Sequence, residues 1–312
     1  MDSEIFLVVL PVFLVIGLGF SLKKTGLVDS DFLFKLNRLI YYIALPALLF
    51  YKISMADFFA SFNGALLGGL VISVLTIFVI SYGYGSLRGY RSSVHGAFCQ
   101  GAFRGNLAYI GLAIVYNAYG EEGFAIAGIL LGFLVPLFNF LSVVALIFPQ
   151  RRDNHSMGMS FWLKQIANNP LILASFGGII WSFLRLPMPQ IIDRAFGIIT
   201  GMSLPLALIA IGASFSLRKL RGDLAIAALA TCFKIVVLPT LAGGILILLG
   251  VRGQELAIGV LLAGTPTATA AYIMAQQLKG DAELSGAIIM LSTLFSLATY
   301  TLALYLLQFI GI

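Results

Sequence analysis

The chain has 312 residues, of which 60% are hydrophobic and only 10% charged. A soluble domain carries about 25% charged residues, so an ordinary globular enzyme is excluded. Two cysteines and no low-complexity tract exclude a disulfide scaffold, a collagen-like chain and a disordered one. A transmembrane helix uses roughly 20 apolar residues, and ten would take about 200 positions and leave only short loops. The expectation is an all-α polytopic membrane protein without a soluble domain. The net charge of +6 is spread over those loops rather than gathered in a patch, so it reads as topology and not as nucleic-acid binding.

Met1 to Glu4 carries two acids and no base, unlike a secretory signal, so Ile5–Leu22 is expected to remain as the first span. Apolar runs and loop punctuation then predict spans at about 5–22, 32–52, 63–84, 94–117, 123–148, 162–184, 191–216, 224–249, 256–277 and 283–310. With the amino terminus outside, the cytoplasmic loops and their edges hold Lys23, Lys24, Lys35, Arg38, Arg88, Arg91, Arg151, Arg152, Lys164, Arg218, Lys219, Arg221 and Lys279. The outer loops hold Lys52, Arg185, Arg194 and Arg252. Thirteen bases against four place both termini on the outer face. Arg104 and Lys234 alone fall inside spans.

The halves echo each other. Pro11 and Pro170 are 159 residues apart, as are Pro46 in Ala44-Leu45-Pro46-Ala47-Leu48 and Pro205 in Ser203-Leu204-Pro205-Leu206-Ala207. Ala108-Tyr109-Ile110 returns as Ala271-Tyr272-Ile273 after 163. This suggests a five-helix repeat over 1–148, a cytoplasmic linker over 149–161 and a second repeat over 162–312. An odd number of helices inverts the second copy, a pattern found in secondary transporters.

Span four contains Gly101-Ala102-Phe103-Arg104-Gly105-Asn106, and span nine contains Gly264-Thr265-Pro266-Thr267-Ala268-Thr269. Proline removes a backbone donor and glycine permits unwinding. Such interruptions are tolerated at membrane depth only inside protein or around a water-filled cavity. Gly105 and Gly264 are therefore the expected helix breaks. Two breaks opposed by inverted symmetry would cross as an X, with helix amino termini aimed at the crossing, which suits an anion.

Several of these motifs resemble the auxin efflux carrier family, which includes plant PIN proteins and bacterial malate or malonate permeases. The resemblance covers the whole chain. Its residues are Leu36-Asn37-Arg38 before Ala44-Leu45-Pro46-Ala47-Leu48-Leu49-Phe50, Arg104-Gly105-Asn106 with Ile110-Gly111 and Tyr119-Gly120, and Asn169-Pro170-Leu171. The most specific is Thr265-Pro266-Thr267 leading to Ala271-Tyr272-Ile273-Met274-Ala275-Gln276-Gln277. The resemblance implies ten helices in a 5+5 inverted repeat, crossed helices four and nine, a homodimer, and elevator-like movement of organic anions. One departure is Ala113, which stands where similar bacterial sequences often have proline, leaving Gly105 to break span four.

A base at a helix centre costs about 2.5–3.5 kcal/mol on insertion scales and so faces a cavity or a partner. All thirteen acids lie in loops or at span edges, leaving none to neutralise Arg104 or Lys234. Fixed positive charge without a carboxylate favours a carboxylate substrate. Arg104 either contacts substrate or bonds freed carbonyls of its own broken helix. Lys234 either couples transport to a proton or an anion, or snorkels and caps carbonyls of helix eight. The resemblance gives Asn106 a substrate contact, with capping as the alternative. Thr265, Thr267 and Thr269 are candidates for substrate or for the groups freed by Pro266. Asn139, Tyr109, Tyr272, Gln276 and Gln277 are secondary polar candidates, more often interhelical contacts than ligands. Pro46 and Pro205 are expected to kink spans two and seven.

His95 and His155 have no partner at metal-ligand spacing, so no metal is expected. The absence of a phosphate-binding loop and of hydrolase motifs argues against ATP, any cofactor and an enzyme. The combined expectation is a secondary transporter of small organic anions, an exporter, in the cell (inner) membrane, driven by potential or coupled to protons. Its partners are the anion and membrane lipid. Alternatives are a metabolite-binding sensor module and a sodium-coupled symporter of the bile-acid type.

Overall fold

The computed structural model describes residues 2–150, 169–215 and 223–309. Nearly all of the expected linker, the first residues of span six, His155 and the bases Arg151, Arg152, Lys164, Arg218, Lys219 and Arg221 lie outside the described residues. Among the described residues every regular element is a helix. These are α1 (Asp2–Lys24), α2 (Ser30–Met55), α3 (Gly64–Leu87), α4 (Ser92–Phe103), α5 (Leu112–Ile147), α6 (Pro170–Phe183), α7 (Gln190–Ala213), α8 (Leu224–Leu248), α9 (Gly253–Ala263), α10 (Ala270–Gln277) and α11 (Ala282–Phe309). Among the described residues seven stretches are long and apolar enough to cross a membrane, and α6 and α9 are shorter apolar helices.

At 118–122, where a loop is expected between spans four and five, α5 is kinked at Gly120, whose φ of 60° lies in the left-handed region and divides α5 into two helical runs. A glycine adopts that geometry without a β-carbon penalty, so the turn needs one residue. Two prolines in the long helices follow a widened turn. The widened turn Ile40–Ala44 precedes Pro46, and Phe233–Val237 precedes Pro239.

The chain forms two compact units, each assembled from separated segments. The first comprises Met1–Asn63, Ala108–Val135 and Leu163–Phe215. Two of its helices start on side-chain caps: Asp29 accepts from the Phe32 amide at 2.7 Å, and Asn169 accepts from those of Leu171 and Ile172. Within it, Ser203 donates to the Ala44 carbonyl at 2.9 Å, and Tyr51 donates to Asp193 at 2.7 Å while stacking on Phe196.

The second unit comprises Gly64–Leu107, Pro136–Trp162 and Ser216–Ile312. Its core brings Ala97 and Phe98 of α4 against Ala227 and Ala230 of α8 and Leu284, Ala287 and Ile288 of α11. Alanines let these backbones approach closely. That packing fixes the carboxyl end of α4 beside α8 and α11, where the interruptions fall.

Candidate functional site

α4 makes its last helical bond from the Arg104 amide to the Gln100 carbonyl at 3.0 Å, and Arg104 then turns extended. α9 stops at Ala263, and helix resumes with α10 at Ala270. Each interruption exposes amides and carbonyls that must find partners in an apolar interior. They find each other. Gly105 and Thr267 form an antiparallel bridge in which the Asn106 amide donates to Pro266 at 2.8 Å and the Ala268 amide to Arg104 at 3.0 Å.

Carbonyls that lose helical partners receive side-chain donors. Residue 266 would donate to Leu262 in a continuous helix, but proline has no N–H. The Thr265 hydroxyl donates there instead, at 2.8 Å. Gly101 would accept from residue 105, and the Thr267 hydroxyl takes that place at 2.8 Å. Ala263 would accept from residue 267, whose amide goes to the Ser292 hydroxyl; Lys234 Nζ reaches Ala263 at 2.6 Å. Thr265→Val should therefore lower stability by about 1 kcal/mol while Thr265→Ser does not, a difference readable in thermal unfolding.

The two break glycines are unequal. A β carbon on Gly105 would run into the Thr265 hydroxyl and lie 3.5 Å from Lys234 Cε, so this position demands close approach. At Gly264 the nearest atom would be the Val260 carbonyl oxygen at 3.3 Å, within the same helix.

Arg104 is 7% exposed, and its guanidinium turns to the α5 segment after Pro136. It donates to the Phe138 carbonyl at 3.1 Å, to Ser142 Oγ at 2.8 Å and to Asn139 Oδ1 at 2.8 Å. These acceptors lie on a neighbouring helix, not on the broken helix itself. Lys234, 1% exposed, similarly bonds α9 rather than a carbonyl of its own helix. Local spacing cannot show either partner, because both contacts are distant in sequence.

Asn106 is 6% exposed, and its side-chain amide makes no hydrogen bond to another described residue. Thr269 is half-buried at the start of α10. Tyr272 and the exposed Gln276 share a hydrogen bond of 3.1 Å further along α10, and Gln277 is exposed. Tyr109 belongs to the first unit.

Sequence reasoning missed Gln100, Ser142 and Ser292. Gln100 is fully buried, its side-chain nitrogen lies 3.7 Å from Met274 sulfur, and its side-chain oxygen Oε1 has no partner among the described residues. Its position four residues before Arg104, one helical turn away, was the available signal. Among the described residues no three His, Cys, Asp or Glu side chains gather as metal ligands.

The chain's residues 4–304 match the family model described as membrane transport protein, the auxin efflux carrier family. This chain belongs to that family. A Rhizobium meliloti protein provisionally named a malonate transporter is 30% identical, over 98% of this chain and 97% of its own. An uncharacterized transporter of Methanothermobacter thermautotrophicus is 26% identical, over 94% and 95%. Another, of Methanocaldococcus jannaschii, is 24% identical over 95% and 96%. With its several apolar helices, this family member is a multi-pass membrane transport protein and not an enzyme.

Proposed function

We propose that the chain is a secondary transporter of small carboxylates that holds its substrate at the crossing of residues 104–106 and 264–269. The observation that carries this reading is the Asn106 side-chain amide, buried at a backbone break and without a hydrogen bond to another described residue. Arg104 and Lys234 are buried near the same break, and among the described residues no Asp or Glu is buried. An anion there gains from both charges and meets no like charge. Asn106 is the direct donor in this reading, with the Thr269 hydroxyl a further one. Arg104 sets the field while held by α5.

The relative's name makes malonate the first substrate to test. The architecture that goes with this reading is ten helices in a 5+5 inverted repeat with helices four and nine broken. Both termini face outward in the cell (inner) membrane, the protein is a homodimer, and access alternates by an elevator motion that carries the crossing with its unit. An inside-negative potential favours anion export by about 2.3 kcal/mol per charge per 100 mV, which is enough without a second energy source.

The test is thermal unfolding of purified protein against mono- and dicarboxylates, followed by malonate counterflow in proteoliposomes. At 100 times its dissociation constant a ligand adds about 2.7 kcal/mol. Malonate should stabilise the wild type and not Asn106→Ala. Stabilisation by neutral lipophiles or cations alone would refute the anion site, and binding without counterflow would make the protein a sensor.

A further inference from the structure

Of the carbonyls released by the two breaks, that of Ala263 differs in its partner. Leu262 and Gly101 receive neutral threonine hydroxyls, whereas Ala263 receives an ammonium. Ala263 is the last residue of α9, where the summed peptide dipoles leave partial negative charge. In transporters built from broken helices, unwound carbonyls and half-helix carboxyl ends are where a coupling cation binds. Here that place is filled by a group on the protein's own chain. The widened turn Phe233–Val237 carries Lys234 in α8, and the stem runs beside Gly105, 3.5 Å from where a β carbon would stand.

A hard metal ion needs several oxygen ligands at once. Leu262, Ala263 and Gly101 offer carbonyl oxygens, but each already has a donor pointing at it, and one donor is positive. Lys234 makes no ion pair with a described acid, so its charge is not cancelled locally.

We infer that Lys234 is a tethered cation standing in for a co-transported ion at the carboxyl end of α9, so that anion movement proceeds without sodium. The ammonium neutralises the helix end and presents positive charge to an anion at the crossing. Because it is covalently fixed, it returns with every cycle. This inference rests on the reading of the crossing as an anion site.

Two readouts test it, one of which needs no anion. In Lys234→Ala the side chain is lost and Ala263 is left without its donor. Methylammonium chloride should raise the melting temperature of this variant by a few degrees over choline chloride and leave the wild type unchanged. No difference between the salts overturns the inference. In proteoliposomes, wild-type malonate counterflow should be equal in sodium and choline, and marked stimulation by sodium overturns the inference whatever the variants do. Lys234→Gln keeps a neutral donor for Ala263 and guards against misfolding of the alanine variant; its counterflow should fall about tenfold or more, the scale of a lost charge-assisted bond. Unchanged counterflow in Lys234→Gln overturns the inference. If the wild type neither binds nor carries any anion while methylammonium still rescues Lys234→Ala, the transport reading fails and the cation site stands.

Discussion

Gly105→Ala is expected to abolish malonate counterflow and to lower the melting temperature, whereas Gly264→Ala should leave both near wild type. The added methyl would occupy the space of the Thr265 hydroxyl. That hydroxyl cannot withdraw freely, because it supplies the donor that Pro266 denies to Leu262. Backbone retreat is blocked too, since the bridge fixes Asn106 on Pro266 and Ala268 on Arg104. Overpacking of this kind costs about 1–3 kcal/mol, and here it would also separate two segments whose amides have no water to turn to. At Gly264 a methyl would meet the Val260 carbonyl oxygen at 3.3 Å and Pro239 Cβ at 3.6 Å, so its neighbours need give only a few tenths of an ångström. A double variant, Gly105→Ala with Thr265→Ala, removes the obstructing oxygen and should recover part of the stability, giving a non-additive cycle of the kind neighbours produce. Wild-type melting and counterflow in Gly105→Ala alone would show that the bridge does not form in the working protein.

How the chain encodes this is visible in what its local pattern revealed. Apolar runs located the long helices because a lipid-facing surface leaves large side chains such as Leu7, Ile191 and Leu248 exposed, and those need no partner to be recognised. Glycine and proline inside such runs marked the interruptions, since only backbone chemistry can explain them there. What stayed hidden was pairing. Thr265 could be assigned to its own turn because its acceptor is three residues away. Thr267 reaches Gly101 across 166 residues, and nothing in its neighbourhood names that carbonyl. For Lys234 the sequence leaves a coupling role or a carbonyl of helix eight, and the acceptor it meets on α9 is 29 residues away. Gln100 escaped notice since a single amide in an apolar helix reads as interhelical contact until its oxygen is seen without a partner. Gly120 falls within the loop expected at 118–122, and there one left-handed residue suffices for the turn.

Arg104→Ala should destabilise the protein more than any other single change at the crossing, by about 3 kcal/mol or more. The loss combines hydrogen bonds from a charged donor, worth about 1.5–3 kcal/mol each, with an emptied side-chain volume in a packed core. The acceptors Phe138, Asn139 and Ser142 lie within about one turn of α5, and a planar fork can address them together. Arg104→Lys keeps the charge and cannot span all three, so it should fall between alanine and wild type in melting temperature. Its malonate stabilisation should persist, because the field survives and Asn106 still donates. Asn106→Ala should show the opposite pair of results: near-normal melting, since its side chain bonds no described residue, and loss of the malonate shift. Measuring melting with and without malonate across these variants separates the two roles. If Arg104→Lys melts like the wild type but no longer responds to malonate, the guanidinium touches the substrate and its bonds to α5 are a resting arrangement. If it melts low and still responds, Arg104 is the strut that holds the break open, and recognition belongs to the amide beside it.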